Sequence, residues 1–113
     1  ARLGGVIHAH PHHLLVFAAA GRPMKPVLEW TEKFGEVECI SESPSHSQEL
    51  ADRVVELAER RRASVEGAGL GIILPGHGVA VLGSDLFNAY DILERLEENA
   101  RCALLARLLP PEA

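Results

Sequence analysis

Two histidines, His8 and His10, close the run Val6-Ile7-His8-Ala9-His10-Pro11, and a third, His77, stands in the turn Pro75-Gly76-His77-Gly78. Residues two apart on a β-strand face the same way. A strand over Gly5–His8 that runs out into a turn therefore presents both imidazoles on one edge. Two imidazoles are half of a metal site, and a third donor completes the three-ligand arrangement that leaves a position open for substrate. Gly76 and Gly78 let the backbone bend sharply around His77 and let an ion approach closely. A plainer reading stands beside this one: two polar residues exposed at a strand end, and one at a hairpin tip.

The elements that would position these residues are legible from periodicity. Pro11–Ala20 carries the stripe Leu14, Leu15, Phe17, Ala18 and Ala19, with Pro11 suited to a first helical turn and Gly21 to a stop. Gly21–Gly35, with Pro23 and Pro26, reads as loop with a helical turn around Leu28–Phe34, and Glu36–Ile40 as a short strand. A polar loop, Ser41–Ser47, leads into a helix reaching about Arg62. Ser45 with Gln48 has the form of a capping box, and Ser47 is a competing cap. Leu50, Val54, Leu57 and Ala58 recur at helical spacing. The apolar run Leu70–Leu74, the turn at Pro75–Gly78 and the run Val79–Leu82 form a hairpin signature. Gly83-Ser84-Asp85 caps a final helix to about Leu109, with Asp85 where a negative charge suits the helix dipole, and Pro110-Pro111 ends it. The order β-α-(loop)-β-α-β-β-α is α/β with a mixed β-sheet covered by helices.

The 113 residues fit one domain, and a hydrophobic content of 47% fits a folded one. A net charge of -5 argues against a protein devoted to nucleic acid or an anionic membrane surface. No apolar run approaches the roughly 20 residues of a membrane span. Cys39 and Cys102 match no zinc or redox spacing, so free thiols in a reducing cytoplasm are expected. The chain opens Ala1-Arg2-Leu3, without methionine and just ahead of a strand, so an internal fragment with its N-terminal part missing is expected.

These motifs carry a family resemblance. Val6–Ala19 resembles the segment of the class II aldolase/adducin family in which a strand ends in His-x-His and feeds a helix. Gly76-His77-Gly78-Val79-Ala80-Val81-Leu82-Gly83 resembles that family's His-Gly hairpin, and Ser43–Ala51 its preceding loop and helix. Leu86, Ala89, Leu93, Leu96, Glu97 and Ala100 resemble its C-terminal helix. The resemblance implies class II aldolase-like α/β/α layers over residues 1–113. It also implies that His8, His10 and His77 correspond to the three histidine ligands of the L-fuculose-1-phosphate aldolase branch. The ion would be zinc, or another divalent metal such as manganese, cobalt or iron. A phosphorylated sugar would chelate it through carbonyl and hydroxyl oxygens, and the charge would stabilise the enediolate left by carbon–carbon cleavage. Epimerases and dehydratases of the family use the same constellation, and a homotetramer with sites at subunit interfaces is implied.

The match is incomplete in two respects. The family's general acid/base is a glutamate before the His-x-His strand, its phosphate-binding loops lie there too, and this chain contains neither. Glu29, Glu32 and His46 lie in loops that could substitute, although loop charge is ordinarily only solvated. His12 and His13 point away from the strand histidines and are expected to support the site or face solvent. Arg60-Arg61-Arg62 reads as a solvated helix end. Trp30 and Tyr90 read as core residues or interface anchors.

Overall fold

A computed structural model of the chain describes residues 4–112. Its strands are β1 (Gly5–Ala9), β2 (Glu38–Cys39), β3 (Leu70–Leu74) and β4 (Gly78–Gly83). Its helices are α1 (Leu14–Ala20), α2 (Gln48–Arg60), α3 (Arg62–Glu66) and α4 (Leu86–Leu105), with 3-10 helices at Glu29–Phe34 and Ala106–Leu108. The sheet order is β1-β4-β3-β2. β2 runs parallel to β3, and the other two pairings are antiparallel. The mixed sheet between helices is the α/β arrangement expected from the element order.

β3 and β4 are central and buried along their whole length, which is why their sequences are apolar without alternation. Alternation still divides their side chains between two cores. Ile73, Val79 and Val81 pack with Leu14, Ala18, Ile92 and Leu96 of α1 and α4. Leu70, Ile72, Leu74, Ala80 and Leu82 pack with Leu57 of α2. Two helical layers thus enclose one sheet, and each core is built by the face its residue parity dictates.

β1 is an edge strand, not the buried one its short apolar run suggests. It reaches Ala9, one residue beyond the expected end, and its two faces differ. Ile7 and Ala9 pack into the α1/α4 core. Val6 and His8 pair across from Leu82 and Ala80, so they share the opposite face. Val6 is 59% exposed there.

Four boundaries depart from the pattern-based reading, the first three for a tertiary reason. α1 begins at Leu14, because Pro11–His13 forms a turn whose closing amides are bonded by Glu97 of α4. β2 is only two residues long, since Val37 turns to exchange backbone bonds with Met24 at 2.8 and 2.9 Å. The helix after Ser47 breaks at Arg61, which reaches back to Glu38 at 2.8 Å while Arg60 bonds the same carboxylate at 3.1 Å. The basic run is therefore a clamp on β2 rather than a merely solvated helix end. Its hydrogen bond from Arg60, joined by those from Arg61, outweighs desolvation and holds the Glu38 carboxyl below the usual range. Finally, α4 tightens into a 3-10 turn at Ala106, short of Leu109. Of the two cap candidates, Ser47 is the one used, its Oγ accepting from Leu50 N at 3.1 Å.

The stretch from Arg22 to Leu28 has little regular structure, and one buried side chain organises it. Asn99 of α4 is fully buried; its Oδ1 accepts from Val27 N at 2.8 Å and its Nδ2 donates to Lys25 O at 3.0 Å. The Thr31 hydroxyl lies 2.7 Å from the same Oδ1. A carboxamide here satisfies backbone groups that would otherwise cost about 1–3 kcal/mol each if left buried and unbonded.

Candidate metal centre

The three histidines singled out by spacing come together at one end of the sheet. β1 lies beside β4 in a register that pairs His8 with Ala80 and Ala9 with Val79. The β3–β4 turn, which carries His77, thereby falls next to the strand end that carries His8 and His10. One ligand-type atom from each lies within 4.8 Å of the others, on a cluster open to solvent. Ring centroids are 4.8 Å apart for His8–His10, 4.6 Å for His8–His77 and 5.6 Å for His10–His77.

Both glycines beside His77 have specific work. Gly76 adopts φ 71°, in the left-handed region that favours glycine, and its N–H donates to Ala18 O at 2.7 Å. Gly78 is a matter of space. A Cβ there would lie 2.5 Å from Ala9 O and 2.8 Å from His10 Cδ2. Any side chain at Gly78 would push the β1 backbone and the His10 ring away together.

The hydrogen bonds set where the ring lone pairs point. His8 Nδ1 lies 2.9 Å from Val79 O, and a carbonyl only accepts, so Nδ1 carries the proton and Nε2 carries the lone pair. That Nε2 faces His77 Nε2 at 3.2 Å. Ser45 Oγ stands 3.4 Å from His77 Nδ1 and offers a partner for a proton on that side. With the His77 proton on Nδ1, two lone pairs face each other, an arrangement that repels unless a cation sits between them. Two nitrogens bound to one tetrahedral ion at about 2.0–2.1 Å stand about 3.4 Å apart. The observed spacing suits such an ion, and an all-imidazole donor set suits zinc and its first-row neighbours. Desolvation, followed by the neighbouring His8, His10 and His46, holds His77 below the ordinary histidine pKa. That favours the neutral form a metal ligand needs.

The remaining sequence candidates separate clearly. His46 is beside the cluster, its ring centroid 6.2 Å from that of His77. It has φ 60°, the one non-glycine residue with positive φ among those described, a conformation costing roughly 1–2 kcal/mol. Glu29 and Glu32 are exposed on the 3-10 helix whose Thr31 bonds α4, on the other side of the sheet from His8, so neither joins the site. His12 is exposed. Trp30 and Tyr90 are 42% and 53% exposed and are not core residues. Cys39 and Cys102 are free thiols.

His13 has a partner that sequence spacing did not reveal. Its Nδ1 donates to Glu97 Oε2 at 2.7 Å, its backbone N–H to the same oxygen at 3.0 Å, and Leu14 N–H to Oε1 at 2.9 Å. A carboxylate from α4 therefore caps α1 and favours its positive end. It also fixes the turn that leaves His10. The available signal was a charged residue inside the apolar stripe Leu93–Glu97–Ala100.

Residues 1–104 match the family model described as the class II aldolase and adducin N-terminal domain. The L-fuculose phosphate aldolase of Methanococcus maripaludis is 31% identical over 100 residues, which are 88% of this chain and 50% of that protein. Among solved structures, an L-fuculose 1-phosphate aldolase superposes with a TM-score of 0.74 at 23% identity, over 96% of this chain and 48% of that one. The L-fuculose-1-phosphate aldolase of Thermus thermophilus gives 0.74 at 25% identity, over 99% and 60%. The chain spans about half the length of the curated relative it matches. It belongs to the class II aldolase and adducin family.

Proposed function

We propose that His8, His10 and His77 hold a divalent metal, zinc first and manganese, cobalt or iron as alternatives, in an aldolase-type lyase acting on a phosphorylated sugar. The observation that carries this reading is the convergence of three imidazoles from two distant segments, with inward-facing ring nitrogens 3.2 Å apart. The relatives are aldolases by name, and their substrate class comes to this chain as part of the proposal.

When bound, such an ion supplies positive charge beside substrate oxygens, where carbon–carbon cleavage next to a carbonyl accumulates negative charge. The chain's own groups prepare that place. Val79 O fixes the His8 tautomer, and Gly78 lets His10 approach the turn. Ser45 offers His77 a hydrogen-bond partner on the side away from the cluster. Among the described residues, no carboxylate joins the three histidines. The proton-transfer group is therefore sought in a neighbouring subunit or in chain beyond these residues, consistent with the proposed homotetramer with sites at subunit interfaces. The whole of residues 1–113 is read as one such domain, in a cytoplasmic protein. No helix among the described residues is long and apolar enough to cross a membrane.

The same absence of a carboxylate favours a second reading, a family member that binds metal without catalysis of its own. An epimerase or dehydratase is a third outcome of the same chemistry. The test is metal content after gentle purification, wild type against His77→Ala, followed by aldehyde release from phosphorylated ketoses. Stoichiometric metal lost in the variant is expected. A wild-type protein without metal, and unable to take it up, would sink the reading.

A further inference from the structure

Helix α4 buries Ala89, Ile92, Leu96 and Ala100 in the core and turns a second stripe outward. Phe87, Glu94 and Arg101 recur every seven residues, so they lie nearly in line along the helix surface. Tyr90 and Leu105 flank that line, and the next residue at the same spacing, Leu108, stands in the 3-10 turn that follows. The apolar members are open to solvent: Phe87 is 87% exposed, Leu108 77%, Tyr90 53% and Leu105 43%. Scattered exposed apolar residues are ordinary, whereas a row of them along one helix marks a contact surface. Glu94 and Arg101 are exposed between them. Arg101 donates to Glu98 at 3.0 Å, which keeps its guanidinium on this side of the helix.

The order of these residues selects the occupant. From the N-terminal end the stripe runs apolar, acidic, basic, apolar. A second copy of α4 laid antiparallel sets Phe87 against Leu108, Tyr90 against Leu105 and Glu94 against Arg101, each twice by symmetry. A parallel copy would instead set Glu94 against Glu94 and Arg101 against Arg101. We propose that α4 is a self-complementary docking face, on which a second copy of this chain seats its own α4 antiparallel about a two-fold axis between Glu97 and Glu98. The two Glu98 carboxylates come nearest at that axis, each already paired with the Arg101 of its own helix. Twenty residues make a helix of about 30 Å. One helix pair of that length buries less than the roughly 800 Å² per partner of a standard interface, so a dissociation constant on the order of 10 μM or weaker is expected. The stripe lies on the side of the sheet away from His8, so the contact leaves the histidine cluster open and does not depend on the metal-site reading. One such contact makes a dimer, and the homotetramer proposed above requires a second contact elsewhere on the surface.

The test is sedimentation equilibrium of the purified chain across the micromolar range, on wild type, Glu94→Arg, Arg101→Glu and the double swap. Exposed ion pairs are individually weak, but each single swap turns attraction into repulsion at two symmetric places. Association should weaken about 10-fold or more in either single variant and return to within about threefold of wild type in Glu94→Arg/Arg101→Glu. Phe87 supports little of its own fold at 87% exposure. Phe87→Ser should therefore weaken association about 10-fold or more while the urea midpoint of dilute protein stays at its wild-type value. A wild-type chain that remains monomeric at the highest soluble concentration would overturn the proposal. So would an oligomer indifferent to all three single substitutions, since another face would then hold it. Single swaps that dissociate without rescue in the double variant would overturn the antiparallel pairing, and with it the second copy as occupant.

Discussion

Replacing Glu97 tests whether the turn leaving the histidine cluster is held from α4. The carboxylate accepts from His13 N–H, Leu14 N–H and His13 Nδ1–H, at 3.0, 2.9 and 2.7 Å. Glu97→Ala removes all three bonds and the negative charge at the positive end of α1. Loss of a helix cap costs about 1 kcal/mol, and the charge at a partly buried helix terminus adds about 1 more. Hydrogen bonds to a charged group would raise that sum if the site were dry. The Glu97 and His13 side chains are 25% and 33% exposed, however, so water replaces part of what is lost. The expected total is about 2 kcal/mol for Glu97→Ala. Glu97→Gln keeps an oxygen acceptor but no charge, and should cost about 1 kcal/mol. Urea unfolding of the metal-free protein measures both, and for a domain of this size about 2 kcal/mol lowers the thermal midpoint by about 8 °C. Zinc affinity should fall in Glu97→Ala although Glu97 is not a ligand, because the Pro11–His13 turn no longer orients His10. A Glu97→Ala midpoint within about 0.5 kcal/mol of wild type would refute the capping argument, since that is the ordinary scatter of surface substitutions.

Four further outcomes follow from contacts described above. Gly78→Ala should lose zinc binding and about 1–3 kcal/mol of stability, because its Cβ meets backbone at Ala9. Gly76→Ala, strained in φ but free of contacts, should spare zinc binding, and metal titration of the two variants separates space from strain. The Glu38 carboxyl is held below its unfolded value, so its contribution is present above the unfolded pKa and lost as pH falls through the lower folded one. The stability gap between wild type and Glu38→Gln should accordingly close on acidification below about pH 4, as read from urea midpoints at several pH values. Asn99→Leu leaves Val27 N–H and Lys25 C=O without their partner and should cost about 2–4 kcal/mol in the same assay. A nearly neutral result would mean that water reaches the Arg22–Leu28 stretch.

The histidine cluster was legible because its signals are local and discrete: strand parity for His8 and His10, and glycines flanking His77. The helices of the two layers were legible for a similar reason, since their apolar stripes repeat within a few turns. What escaped lies in contacts between residues far apart in sequence. Pro11 suggested a helix start that Glu97 delays to Leu14. The Arg60–Arg62 run looked solvated because nothing nearby announces Glu38 as its counter-ion. Glu97 and Asn99 were visible as polar residues on a helix with wide apolar faces, yet their partners could not be named without the fold.

β1 meets β4 over five residue pairs, from Gly5–Gly83 to Ala9–Val79. The side-chain period of a strand is two, so a slip of one residue would carry His8 and His10 to the α1/α4 side and turn Ile7 and Ala9 outward. Alignment of the strand and assembly of the donor set are therefore a single condition. A short edge strand with half its face in solvent has modest means of rejecting misaligned pairings. An ion that binds only the aligned form adds its binding free energy to that form alone. In this chain the metal, beyond any chemistry, would act as a proofreader of strand pairing.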